Sequence, residues 1–229
     1  MTKKQAIVMS ILTIIMISSF IALNIEDILN DPVITGMATT NTRLVIITLG
    51  GAECNITLEN GWNLVSFPCL SDPIDIDLLF KSNSSYGHVM AYSPITPNDP
   101  WKSYNPSLPS WVIQDLDQIE RNYGYWVLTS ATTEFYLNNT LATPTLTDLE
   151  KGWNLVGYPS RDVQNTSSVF KALEPGYDYV LMYNASDPSD KWKEYTWNSS
   201  LPSNQDFNYS VPNYGIWIYM LNTDSLVIT

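Results

Sequence analysis

The stretch Gly61-Trp62-Asn63-Leu64-Val65-Ser66-Phe67-Pro68 returns further along the chain as Gly152-Trp153-Asn154-Leu155-Val156-Gly157-Tyr158-Pro159. The offset is 152 − 61 = 91 residues, and it also carries Tyr92 onto Tyr183, Trp101 onto Trp192, Lys102 onto Lys193 and Tyr104 onto Tyr195. Asp115 falls on Asp206, Tyr123-Gly124 on Tyr214-Gly215, and Trp126 on Trp217. So many aromatic residues do not recur at one spacing by chance. A period near 90 residues is that of a duplicated domain rather than a solenoid repeat. The sequence therefore predicts two modules, residues 43–137 and 144–229, joined by a linker at 138–143.

Within the repeat the signals are those of short strands. Asn60-Gly61 suits a tight type I′ turn, which predicts a hairpin pairing residues 55–58 with 62–67. The second copy keeps the glycine as Gly152, because glycine takes positive φ at no steric cost. Beyond the turn, alternation places Trp62 and Leu64 on one face and Val65 and Phe67 on the other, so both faces are covered. Pro68 and Pro159 end the strand. A short helix follows in each copy: Thr166 can cap a segment reaching Leu173 with Gly176 beyond it, and residues 75–81 form a looser counterpart. Residues 89–92, 180–183, 125–128, 216–219, 135–137 and 226–228 read as further strands. A turn rich in Pro and Asp precedes Trp101 and Tyr104, as it does Trp192 and Tyr195, predicting a hairpin whose second strand carries both rings on one side. Residues 115–121 read as one helical turn. The predicted fold is mainly β: two tandem homologous small β-sandwich or barrel-like domains with one short helix each, after an N-terminal membrane helix.

That helix is read from the first 24 residues. Lys3 and Lys4 precede an apolar run over residues 6–23, and 18 residues at about 1.5 Å each span roughly 27 Å, close to a bilayer's hydrocarbon thickness. The lysines belong in the cytoplasm and everything after Asn24 outside, giving a single-pass anchor with the C-terminus outside. Phe20-Ile21-Ala22-Leu23 makes a poor signal-peptidase site, which favours an uncleaved anchor over a secreted product. A pilin-type leader cut after Lys4 is a further alternative, but Met9 stands where pilins carry an acidic residue. Residues 25–42 read as a stalk, and residues 44–49 as a strand. Of the 229 residues 45% are hydrophobic and only 15% charged, which allows a packed core. A net charge of −12 without a basic patch beyond Lys3-Lys4 argues against nucleic acid as a partner.

The succession Gly-Trp-Asn-Leu-Val, Trp-x-x-Tyr, Gly-Tyr-Trp and a last β-strand resembles a repeated extracellular module of archaeal and some bacterial cell-surface or secreted proteins. The resemblance covers nearly all of residues 50–229, departing at Ile216 and Phe207 by apolar exchanges. It implies a place in the cell envelope and assigns no activity.

Cysteines and sequons point the same way. Cys54 and Cys69 are the only cysteines, and a disulfide between them, closing about 15 residues, would contribute about 3 kcal/mol in the chain-entropy model. Two free buried thiols are the alternative. Ser160 stands at the position of Cys69 in the second copy, so the fold does not require the bridge. Asn55, Asn83, Asn138, Asn165, Asn184, Asn198 and Asn208 each head an Asn-x-Ser/Thr tripeptide, the acceptor of N-glycosylation.

Catalytic patterns are missing from the sequence. There is no Gly-x-Ser-x-Gly elbow, His-Glu-x-x-His, Walker loop or Cys-x-x-Cys, and the one histidine, His88, precedes an apolar strand. The acids matched between copies, Glu59/Glu150, Asp99/Asp190 and Asp115/Asp206, sit beside turns, where capping is their expected role. Asp72, Asp75 and Asp77 could ligate calcium, but the second copy has no equivalent set and EF-hand spacing is missing. No cofactor or metal is indicated. Binding is left: Trp101, Tyr104, Trp192 and Tyr195 could stack on sugar rings, or simply fill small cores. Trp62, Trp126, Trp153 and Trp217 read as core. The leading expectation is a non-catalytic surface protein for adhesion or envelope assembly, its partners a membrane through residues 6–23 and an envelope protein or glycan. A carbohydrate-binding module pair, a secreted hydrolase and a pilin-like subunit are the alternatives.

Overall fold

The computed structural model describes residues 37–39, 42–44, 53–70, 73–80, 85–109, 111–138 and 144–228. The chain divides into two compact units, residues 1–50 and 51–229. In the first, β1 (Met37–Thr39) pairs antiparallel with β2 (Thr42–Leu44), Met37 opposite Leu44, at the end of the span expected to be stalk and two residues beyond it. The expected membrane helix at 6–23 and most of the strand at 44–49 lie outside the described residues. Among the described residues no helix is long and apolar enough to cross a membrane.

The second unit is mainly β, and its two halves repeat one strand order. The first half contains β3 (Glu53–Leu58), β4 (Gly61–Val65), β5 (Ile74–Asp75), helix α1 (Ile76–Phe80), β6 (Tyr86–Tyr92), β7 (Trp101–Tyr104), β8 (Gln118–Ile119), β9 (Tyr125–Thr129) and β10 (Thr133–Asn138). The second contains β11 (Thr145–Leu149), β12 (Gly152–Gly157), β13 (Gln164–Asn165), helix α2 (Thr166–Val169), β14 (Tyr177–Tyr183), β15 (Trp192–Tyr195), β16 (Tyr209–Ser210), β17 (Gly215–Met220) and β18 (Asp224–Ile228). One half forms the sheet β4-β9-β6-β7 and the other the sheet β12-β17-β14-β15; two-stranded pairs β3/β10, β5/β8, β11/β18 and β13/β16 complete them. Neither four-stranded sheet closes into a barrel. Both halves fall in one compact unit, and most of the linker expected between them lies outside the described residues.

The hairpin predicted at Asn60-Gly61 does not form. β3 pairs with β10 and β4 pairs with β9, so residues 59–60 are a corner where the chain leaves one sheet for another. Gly61 has φ +100° and Gly152 +98°, while Asn60 keeps an ordinary φ, so the turn is not type I′. Asn63 holds the corner instead. Its Oδ1 accepts from Glu59 N at 2.8 Å and its Nδ2 donates to Glu59 O at 2.7 Å. Asn154 repeats both bonds on Glu150 at the same distances. This buried two-way clamp satisfies corner groups that would otherwise be left unpaired, and it explains the motif's asparagine.

Each half has its own core beneath the inner face of its sheet. In the first, Val65, Val89, Tyr125 and Val127 of the sheet meet Ile56, Leu58 and Phe135 of β3/β10 and Leu79 and Phe80 of α1. In the second, Val156, Val180, Ile216 and Ile218 meet Leu149, Leu226 and Ile228 of β11/β18, with Phe170 and Leu173. The alternation expected after Gly61 holds: Val65 and Phe67 enter the core, while Trp62 and Leu64 point the other way. The cap expected at Thr166 falls to Asn165, whose side chain accepts from Ser167 N; Thr166 Oγ1 instead meets Ser210 Oγ. The helical turn expected at 115–121 is replaced by β8, whose pairing with β5 uses the same backbone groups.

The halves cross at the C-terminal ends of β4 and β12. Val65 bridges Tyr214, and Tyr123 bridges Val156. Ser66 N donates to Asn213 O at 2.9 Å, and Gly157 N to Asn122 O at 2.9 Å, which is the same bond seen from each half. Ser66 Oγ donates to Tyr214 O at 2.9 Å and accepts from Tyr158 N at 3.2 Å. A Cβ on Gly157 would stand 2.4 Å from Arg121 O and 3.2 Å from Ser66 Cβ. At this crossing one copy can carry a side chain and the other cannot. We expect Gly157→Ala to lower stability by about 3 kcal/mol or more, through a backbone clash with no room to relax. Gly152→Ala meets open space and costs only its positive φ, about 1–2 kcal/mol. Urea unfolding of both variants checks the order, and equal losses would mean that the crossing is not tightly held.

Candidate functional site

Side chains that turn away from the two cores form an aromatic belt along both halves. Trp62 of β4 lies edge-on to Trp126 of β9 (6.4 Å between centroids) and tilted against His88 of β6 (5.9 Å). Trp126 then crosses to the other half, meeting Tyr183 at 5.0 Å and Trp192 at 5.9 Å. The second copy answers in kind: Trp217 meets Tyr92 at 5.1 Å, Trp101 at 5.9 Å and Trp153 at 6.0 Å. Edge-to-face geometry of this kind is the favoured arrangement of aromatic pairs.

The four tryptophans expected in the core are therefore not there. None belongs to either core, and Trp62 and Trp153 are 37% and 38% exposed. The reason is the strand period: Trp62 alternates with the core residue Val65 across an odd interval, so the two must take opposite faces. Trp101 (39%) and Trp192 (44%) are exposed to a similar degree. Their partners Tyr104 and Tyr195, three residues on, turn to the inner face. Tyr104 stacks on Tyr86 at 6.5 Å and its hydroxyl donates to the Asp77 carboxylate; burial, then Asp77, pushes its pKa up. Tyr195 packs against the second core. The expectation that Trp and Tyr share one side is thus corrected, and only the tryptophans stay on the belt.

The belt encloses an open groove of about 350 Å³ lined by Trp62, Met90, Trp101, Trp126 and Tyr183. A polar pocket adjoins it, with Tyr183 in both walls. The sequence does not single out Met90 or Tyr183 as site residues, although Tyr183 belongs to the 91-residue pairing and its position opposite Trp192 in the β14/β15 ladder gives it the same face. His88 packs on the groove's rim tryptophan. Among the described residues no cluster of three or more His, Cys, Asp or Glu could hold a metal. Of the calcium candidates, Asp75 caps α1 by accepting from Leu78 N at 3.1 Å, Asp77 accepts from Tyr104, and Asp72 lies outside the described residues.

Of the matched acids expected to cap turns, Asp115 and Asp206 guard the sheet edges. β7 and β15 are edge strands, and Asp115 Oδ1 accepts from Ser103 N at 2.8 Å while Asp206 Oδ1 accepts from Glu194 N at 2.7 Å. Blocking these outward N–H groups hinders pairing with another chain. Lys102 pairs with Asp99 (3.1 Å) and Asp115 (3.2 Å); Lys193 pairs with Asp190 (2.7 Å) and Asp187 (3.0 Å). Hydrogen bonds from Ser189 and then Lys193 hold Asp187 down at about 2, below its ordinary 3.8. Lys193, then Asp206, also lowers Asp190.

Cys69 is fully buried and disulfide-bonded. The side chain of Cys54 lies outside the described residues. Of the sequon asparagines, Asn55, Asn165 and Asn208 are exposed and Asn184 and Asn198 half-buried; Asn83 and the side chain of Asn138 lie outside the described residues. No family model, no curated protein and no solved structure matches the chain.

The lysine cages give a pH dependence with a definite sign. A carboxylate whose folded pKa is depressed contributes stability that is complete above its unfolded pKa and is lost as pH falls through the folded one. For Asp187 that window runs from about pH 4 down to about pH 2. Thermal midpoints should fall across this window, Asp187→Asn should flatten the fall, and added salt should shrink it. A wild-type midpoint unchanged between pH 5 and 2 would dismiss the cages as stabilising features.

Proposed function

We propose that this chain is a non-catalytic protein of the cell exterior, serving adhesion or envelope assembly by contacting glycan through its tryptophan belt. The observation that carries the reading is the exposure of Trp62, Trp101, Trp153 and Trp192, at 37–44% each, on one aromatic strip. Rings that are held by neighbours yet partly open to solvent present a rigid apolar surface at little entropic cost. The C–H faces of pyranose rings stack on such a surface, and contiguous exposed apolar strips mark interaction sites. The low charge density, the seven sequons and the resemblance to envelope modules support an external setting. We take the two halves to be β-sandwich domains from one duplication, anchored through residues 6–23, with Cys54 as the partner of Cys69.

Two measurements test the parts separately. Full-length protein incubated with isolated envelope material, intact or deglycosylated, should be retained by the intact material alone. Trp101→Ala/Trp192→Ala should bind at least about tenfold more weakly while keeping its melting temperature within a few degrees. Undiminished binding in that variant would exclude the belt and favour a protein contact elsewhere. Peptide mapping without reductant should recover a fragment linking Cys54 to Cys69, and recovery of Cys69 joined to a second copy of the chain would reject the internal pairing.

A further inference from the structure

The polar pocket beside the groove has a chemistry the duplication does not repeat. Its volume is about 270 Å³, just under the roughly 300–1,000 Å³ of sites for drug-sized ligands, so it suits one ring rather than a chain. Asn55, Thr57, Glu59, Ser186 and Asn213 supply its polar lining, and Glu59 is the one charged residue among those that line it. Asn213 has φ +71°, a left-handed conformation that asparagine tolerates better than most residues. Its Nδ2 donates to Asn55 O at 2.9 Å, which fixes the amide's orientation. Its Oδ1 is then buried with no partner among the described residues. A wall of amides and hydroxyls with one carboxylate and no cation can pair with the hydroxyls of a ligand and repels an anion.

We propose that this pocket is a binding site, single in the chain, for one neutral hexopyranose unit. The Tyr183 wall continues into the groove, where Trp62, Trp101 and Trp126 take the apolar faces of the adjoining sugars. The proposal rests on the glycan reading above and narrows it to one place and one ligand class. Its uniqueness follows from the residues 91 positions away. Leu146 stands for Asn55, Asp148 for Thr57, Ile95 for Ser186, and Arg121 for Pro212. These replacements change the lining in the second copy, although Glu150, Asn122 and the tryptophans keep their places there.

The repeat supplies its own control. The full chain, made without N-glycosylation because Asn55 heads a sequon, is titrated calorimetrically with gluco- and mannohexasaccharides and with hexagalacturonic acid. At least one neutral hexasaccharide should bind at one equivalent per chain, and the acid should bind far more weakly. Glu59→Gln should weaken binding about tenfold, the loss of a charge-assisted hydrogen bond, and Ser186→Ile should abolish it by filling the pocket. Glu150→Gln, the same change in the other copy, should leave binding unaltered. Two equivalents per chain, equal losses from the two glutamate variants, or equal affinity for the acid would overturn the assignment. Failure to bind either neutral hexasaccharide, in a chain that still binds envelope glycan, would overturn the pocket alone; loss of both would remove the glycan reading as well.

Discussion

The close crossing of Ser66 over Gly157 is the constraint on which the unit depends. These residues hold equivalent places in the two copies, and their main chains approach until only one Cβ fits. The hydroxyl of Ser66 uses that single opening: it donates to Tyr214 O and accepts from Tyr158 N, joining both halves through one atom. Gly124 and Gly215 belong to the same crossing. A Cβ on Gly124 would lie 2.8 Å from Val156 O, and one on Gly215 2.9 Å from Val65 O. The repeated Tyr-Gly pair therefore records how closely the other half approaches. It does not mark a turn needing positive φ, since only Gly61 and Gly152 take one among the described glycines.

From that crossing follows the division of faces. Once β4 and β12 are pinned at their C-terminal ends, each sheet has one side over its own core and one side toward its twin. Leu64 and Leu155 are buried at 1% and 2% yet belong to neither core, because they fill the space between the halves. Farther from the crossing the sheets no longer cover each other, and the side chains on the same face become the half-exposed tryptophans. The belt is thus the continuation of an internal interface beyond the place where the interface ends. That accounts for rings that are both firmly packed and open to solvent.

Much of this was legible in the sequence, and the failures have definite causes. The 91-residue offset identified the repeat, short apolar runs located parts of β6, β9, β14 and β17, and alternation placed Val65 of β4 on its inner face. The Asn-Gly signal misled because it describes local turn chemistry. Whether the chain after a turn returns to the same sheet or crosses to another depends on distant strands, here β9 and β10, and on Asn63, which reaches back four residues to hold a corner. The tryptophans were misassigned for a similar reason. A large ring suits a core, but the parity of Trp62 against Val65 already assigns them to opposite faces. Trp101 and Tyr104 could have been separated by the same count.

The duplication also explains how one face can combine sameness with difference. The belt needs only large rings at fixed register, and pairing across the crossing constrains Trp126 against Trp192 and Trp217 against Trp101 alike. Those positions are aromatic in both copies. Asn213 Nδ2 reaches Asn55 O across the halves at 2.9 Å, a bond to backbone that any residue at position 55 could accept. Asn55, Thr57 and Ser186 stand where the other copy has Leu146, Asp148 and Ile95, and the bonds of the crossing are made by other residues. An interface that is symmetric where the halves meet and asymmetric at its rim yields two copies of an apolar floor, of which one acquires polar walls.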